Sequence, residues 1–114
     1  MNISRRPTRF FSKAQENTVA KAVGGKRTAN SGATPFSKGD VRTDKFLIEC
    51  KTCVTEKKSF AIKKEWIDKN KEEAFAMNKP YSTLVFNFGP TSDNYYIIDE
   101  RMFLRLKEVL DEEC

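Results

Sequence analysis

Residues 39–52 read GDVRTDKFLIECKT, an apolar run that leads straight into Glu49, Cys50 and Lys51. The run predicts a strand over 45–53, and the turn residues Thr43-Asp44-Lys45 predict a hairpin back to a strand opening at 39–41. A strand with an apolar start belongs in a core. Charges rarely sit at the far end of such a strand unless they are paired or have a task. Two-residue alternation puts Phe46, Ile48 and Cys50 on one side, and Leu47, Glu49 and Lys51 on the other. Glu49 and Lys51 therefore share a face, with Asp40 on the partner strand within reach of it.

The remaining signals surround this hairpin with helices and further strands. Ser12, with Gln15 three residues on, has the spacing of a capping box. Ala14, Val19, Ala20 and Val23 then recur at helical intervals, and Gly24-Gly25 ends that helix. Residues 26–30 read as a short strand, 31–39 as a loop rich in Ser, Gly, Thr and Pro, and 54–59 as a charged loop. A second helix is expected over 65–78, with Trp66, Ile67, Ala74 and Met77 available for burial, stopped by Pro80. Strands follow over 81–88 and 95–98, separated by a turn at 89–94. Asp99 or Glu100 opens a last helix with an apolar stripe of Phe103, Leu106, Val109 and Leu110. The order α-β-β-β-α-β-β-α predicts an α/β fold, a central mixed β-sheet flanked by helices. Residues 1–11 read as a basic N-terminal arm and 12–114 as one domain, which suits 114 residues.

Charge divides the chain. Residues 1–64 hold 15 Lys+Arg against 5 Asp+Glu, a balance of +10; residues 65–114 hold 6 against 11, a balance of −5. A basic half on a small domain points to a polyanion, most simply nucleic acid, or else to a solvated basic face. No run is long and apolar enough for a membrane span or a signal-peptide core, so the expected location is intracellular, the cytoplasm of its own cell or of a host. The three cysteines are an odd number in such a compartment and predict no disulfide framework. Cys50-x-x-Cys53 lacks the second pair that zinc needs, and the strand pattern gives Cys50 a packing role. The chain has no histidine. That removes Ser-His-Asp and Cys-His triads and leaves any hydrolysis to carboxylates, lysine and a hard cation.

Carboxylates converging on one point raise each other's pKa unless something positive lies between them. Mg²⁺, with Mn²⁺ as a substitute, prefers oxygen ligands, and two carboxylates plus a backbone carbonyl, such as that of Cys50, suffice. A metal there would polarise a phosphoryl oxygen and lower the pKa of a bound water, and Lys51 would orient that water or offset charge on phosphorus. Taken singly, each residue also has a plain structural reading. Glu16 would be an exposed helix acid near Lys13 or Lys21, and Asp40 a turn residue. Glu49 and Lys51 would be a solvated strand edge, Ser31-Gly32 a turn, and Trp66 a core side chain.

Asp40, an eight-residue gap, then Glu49-Cys50-Lys51 resembles the signature of the PD-(D/E)XK nuclease superfamily, with Gly39 where a proline is usual. Glu16 matches the upstream helix glutamate that many members carry. Within the superfamily, residues from about 11 to 88 look most like the small archaeal-type Holliday-junction resolvases and related phage resolvases. Ala29-Asn30-Ser31-Gly32-Ala33 resembles their Ser-Gly loop, and Phe60-Ala61-Ile62 before Lys64-Glu65-Trp66 their strand edge and following helix.

The resemblance implies a restriction-endonuclease-like fold and a Mg²⁺-dependent endonuclease acting on branched DNA. The implied metal set is Glu16, Asp40, Glu49 and the Cys50 carbonyl; Lys51 is the implied catalytic lysine, and Ser31 assists catalysis or backbone contact. Phosphate contacts are expected from Arg5, Arg6, Arg9, Lys26, Arg27, Lys38, Lys57 and Lys58, which position DNA without reading its sequence. A four-way junction has two-fold symmetry, so a homodimer is expected, with the strand over 81–88 and the last helix as its interface. A nicking, flap-cutting or restriction-like nuclease and a non-catalytic DNA-binding module are the rival readings.

Overall fold

The structure is a computed structural model and describes residues 8–28 and 39–113. Arg5, Arg6, Ser31, Lys38 and the end of the strand expected over 26–30 lie outside the described residues. Three helices and five strands follow in the order α1 (Thr8–Val23), β1 (Lys26–Arg27), β2 (Val41–Arg42), β3 (Phe46–Lys51), α2 (Lys64–Ala76), β4 (Tyr81–Phe86), β5 (Tyr95–Ile97) and α3 (Glu100–Glu112). The strands form one sheet in the order β1-β2-β3-β4-β5. Every pairing is antiparallel except β3 with β4, which run parallel over six pairs from Phe46↔Tyr81 to Lys51↔Phe86. Parallel neighbours need a crossover, and α2 supplies it. The fold is α/β with a mixed sheet.

α1 begins at Thr8, before the expected Ser12 cap. The reason is burial: Phe11, Gln15 and Val19 are all buried at four-residue spacing, so the inward stripe extends one turn earlier. The helix closes where Gly24 takes φ +65° and the Gly25 N–H donates to the Ala20 carbonyl at 2.9 Å. Its inner face packs on the even-numbered side of β3. Val19, Val41, Ile48 and Val85 form a water-free cluster there, with Ala20, Val23, Phe46 and Cys50 around it. Burial of this layer stabilises the fold at roughly 25 cal/mol per Å² of apolar surface.

On the other side, α2 covers Leu47 and Leu84 with Ala74 and Asn70. Asn78 at φ 57° follows α2, and Pro80 prevents its continuation. α3 is capped by Asp99, whose side chain accepts from the Met102 N–H at 3.0 Å. The expectation that β4 offers an interface is overturned. It lies between β3 and β5, and Thr83, Leu84 and Val85 are all buried. Among the described residues, no helix is long and apolar enough to cross a membrane.

Candidate active site

The site begins with a backbone irregularity. In the β2–β3 hairpin Val41 lies opposite Ile48, yet the Asp40 N–H also reaches the Ile48 carbonyl, at 2.9 Å. Two residues thus face one, a bulge that re-aims the side chain of Asp40. Gly39 makes the approach possible at φ +74°, and a Cβ there would lie 2.6 Å from Leu47 Cδ1. Proline cannot take that φ, so glycine at this position is a requirement of the hairpin as built.

Asp40 then turns along the end of β3. Its Oδ2 accepts from the Cys50 N–H at 2.8 Å, and its carboxyl hydrogen-bonds with that of Glu49. Burial, and after it the charge of Asp40, pushes the Glu49 carboxyl up to about 8; Lys51 opposes the shift and Glu73 adds to it. Two carboxyls in contact cannot both ionise freely, so near neutral pH this pair retains a proton that a cation could replace. The N–H and C=O of one strand residue point to the same edge, so the Cys50 carbonyl faces the Asp40 side.

Glu16 reaches the same region from α1. It is half-buried and accepts from Arg27 Nε at 3.2 Å. Burial and then Asp40 raise its pKa, while Arg27 and Lys13 oppose the rise. Among the described residues, no group of three or more His, Cys, Asp or Glu side chains is placed to hold a metal ion. Asp40 and Glu49 make the carboxyl pair, and Glu16 is held by Arg27. The Cys50 thiol is pushed far up by burial, then by Asp40, Glu16 and Glu49, so it stays protonated. Cys53 is buried with its Sγ 3.8 Å from the Asn87 carbonyl oxygen. Both are packing residues, as the strand pattern implies for Cys50.

On the α2 side, Glu49 and Lys51 open into a cleft of about 450 Å³ with Glu65, Trp66, Lys69 and Asn70. Lys51 Nζ sits 4.3 Å from the centroid of the Trp66 ring. Such a cation–π contact fixes an ammonium without neutralising it. Phe60 braces the indole at 6.4 Å between centroids and in turn packs on Phe86 at 5.2 Å. Trp66, read from the sequence as core, is a wall of the cleft.

Two residues escape the sequence reading. Gln15, assigned a capping role, is buried and donates from Nε2 to the Lys51 carbonyl at 2.7 Å, tying α1 to the end of β3. Asn70 is buried and donates to the Leu47 carbonyl at 3.5 Å. The four-residue recurrence of Phe11, Gln15 and Val19 was the available signal for the first; none marks the second. Of the expected phosphate contacts, Arg9, Lys26, Lys57 and Lys58 are exposed, and Arg27 is engaged by Glu16. Lys63 and Lys64 are also exposed, at the start of α2 beside the cleft.

No protein-family model, curated protein or solved structure matches this chain.

Proposed function

We propose that the protein is a Mg²⁺-dependent endodeoxyribonuclease with a restriction-endonuclease-like fold, cutting branched DNA as a homodimeric junction resolvase inside the cell. The observation that carries this reading is the Asp40–Glu49 carboxyl pair at the hairpin end, with Lys51 on the Glu49 face. The donor set suits a hard cation: two carboxyl oxygens that repel when ionised, joined by the Cys50 carbonyl. Asp40 and Glu49 would hold it, and the ion would supply Lewis-acid polarisation of the scissile phosphate. Mn²⁺ would serve in its place.

The chain's own residues do the rest. Lys51 orients the attacking water in line with the leaving oxygen, and Trp66 keeps the ammonium in register while leaving its protons free to donate. Glu16 holds Arg27 at the rim, where the guanidinium can meet a phosphate oxygen. Arg9, Lys26, Lys57 and Lys58 attract the backbone without reading bases, which suits an enzyme that recognises DNA shape.

A synthetic four-way junction incubated with protein and Mg²⁺ tests the reading, with the nicks mapped on each strand. Paired symmetric nicks support a resolvase. Preference for flaps or linear duplex assigns a different nuclease with the same centre. Binding without cutting in Mg²⁺ and in Mn²⁺ replaces the enzyme with a DNA-binding module.

A further inference from the structure

Beyond the cleft, the α2 side of the sheet carries a row of aromatic rings. Lys51 pairs with Phe86 and Phe86 with Tyr95, so the three side chains stand in line on one face across β3, β4 and β5. Strands lie about 4.8 Å apart, which sets Tyr95 roughly 10 Å from Lys51 along the row. The rings touch in sequence. Trp66 meets Phe60, Phe60 meets Phe86, and Phe86 and Phe88 each lie 5.7 Å from Tyr95 between centroids. At the cleft end the row is taken, since the Nζ atoms of Lys51 and Lys63 lie 4.3 and 5.7 Å from the Trp66 centroid. At the other end it is open: β5 packs on β4 and on no described helix, and Tyr95 is 50% exposed. Cations flank the row. The Lys57 N–H donates to the Phe88 carbonyl at 2.7 Å, which lays the charged loop over 54–59 beside the rings. Glu56 fastens that loop by accepting from the Thr91 N–H and the Ser92 hydroxyl, both at 3.1 Å. Lys57, Lys58 and Lys63 are exposed, and among the described residues none of them makes an ion pair.

We propose that Tyr95 stacks an unpaired base of a DNA strand whose backbone runs past Lys57, Lys58 and Lys63 into the cleft. Charge selects the occupant. An apolar protein surface laid on Tyr95 would take three lysines out of water with nothing to pair them, whereas a phosphate backbone neutralises them. The rings select its bases. Every base has a π face, so an aromatic side chain beside a basic track holds a single strand whatever its sequence. A base inside a duplex is already stacked on its neighbours, and only one that is splayed out can lie on a side chain. Position agrees, because Tyr95 shares its row with Lys51, and a base resting there belongs to a nucleotide close to the one whose phosphate enters the cleft. The inference rests on the proposed reading in taking the strand to be DNA bound for that cleft. It narrows the substrate to branched DNA with a single-stranded segment beside the cut.

Fluorescence anisotropy in EDTA, where no metal-dependent cutting occurs, reads the outcome with two labelled strands. One is oligo(dT) of about 16 nucleotides, and the other is an abasic strand of the same length, with the same phosphates and no bases. The wild-type chain is expected to bind oligo(dT) about 10-fold more tightly than the abasic strand. Tyr95→Ala should bind the two alike with unchanged circular dichroism. Tyr95→Leu, which keeps apolar bulk against Phe86 and removes the π face, should also bind them alike, and Tyr95→Phe should restore the difference. K57A/K58A should weaken both strands equally and lower the salt slope by about 1.4. A wild-type chain that binds neither strand, or both alike, overturns the proposal, as does a Tyr95→Leu variant that still tells them apart. Discrimination between the strands by a protein that cuts no DNA in Mg²⁺ supports the stacking site and counts only against the nuclease reading. Junction cutting by a protein that binds both strands alike overturns the stacking site alone.

Discussion

On the α1 side of the sheet, Val19, Val41, Ile48 and Val85 exclude water, whereas on the α2 side the same β3 strand presents Glu49 and Lys51 to an open cleft. At its C-terminal end one strand thus serves a dry layer and a wet cleft through side-chain alternation, while Leu47 near its start stays buried under α2. The dry layer stabilises the fold. The cleft lowers stability, since it holds two carboxyls in contact and a lysine set against an aromatic ring. The difference teaches that the charged end of β3 is tolerated because its other side is so well packed, and substitutions on the two sides should therefore fail in different ways.

The sharpest contrast comes from Lys51→Ala. Cutting of a four-way junction should fall by about 10³-fold, while the melting temperature changes little and gel-shift binding persists. A variant that unfolds instead would make Lys51 a structural residue and erase the distinction between the faces. Ile48→Ala, three residues earlier on the dry side, should do the opposite. It should cost about 2–5 kcal/mol in denaturant unfolding and leave the single-turnover rate of the folded fraction near wild type. Gly39→Ala acts on the hinge between the faces. Its positive φ and its crowding against Leu47 should cost about 1–3 kcal/mol and lower cutting as well, because Asp40 loses its aim.

The smallest effect is a slope. Glu49 binds its proton more tightly in the folded chain, near 8, than the 4.5 of an unstrained glutamate. Its contribution to stability is therefore whole below pH 4.5 and is lost as pH rises toward 8. Without divalent ions, the melting temperature should fall across that window. Glu49→Gln should flatten the slope, and Mg²⁺ should flatten it in the wild type but not in the variant.

The sheet and its faces were legible in the sequence because alternation is a local property. Phe46, Ile48 and Cys50 do fall on the α1 side, and Leu47, Glu49 and Lys51 on the other. The second and third helices were legible for a similar reason, from Pro80 and from Asp99 as a cap. Three features were not. The earlier start of α1 depends on a place for Phe11 in the core. The partner of Arg27 is set by where β1 lies against α1, which brings Glu16 within 3.2 Å. The position of Trp66 depends on Phe60 and Phe86, residues 6 and 20 places away in the chain, and its size alone suggested burial. The stripe on α3 was plain, but whether it joins the core is decided by the path of the chain after β5.

Trp66 is the only tryptophan among 114 residues, and a charged amine lies against its ring. The protein consequently carries its own optical reporter. Anything that draws Lys51 away from the indole, whether a phosphate oxygen or a redistribution of charge about Glu49, should change the emission of one identifiable fluorophore. Arrival at the cleft can thus be timed without a label and without waiting for a bond to break.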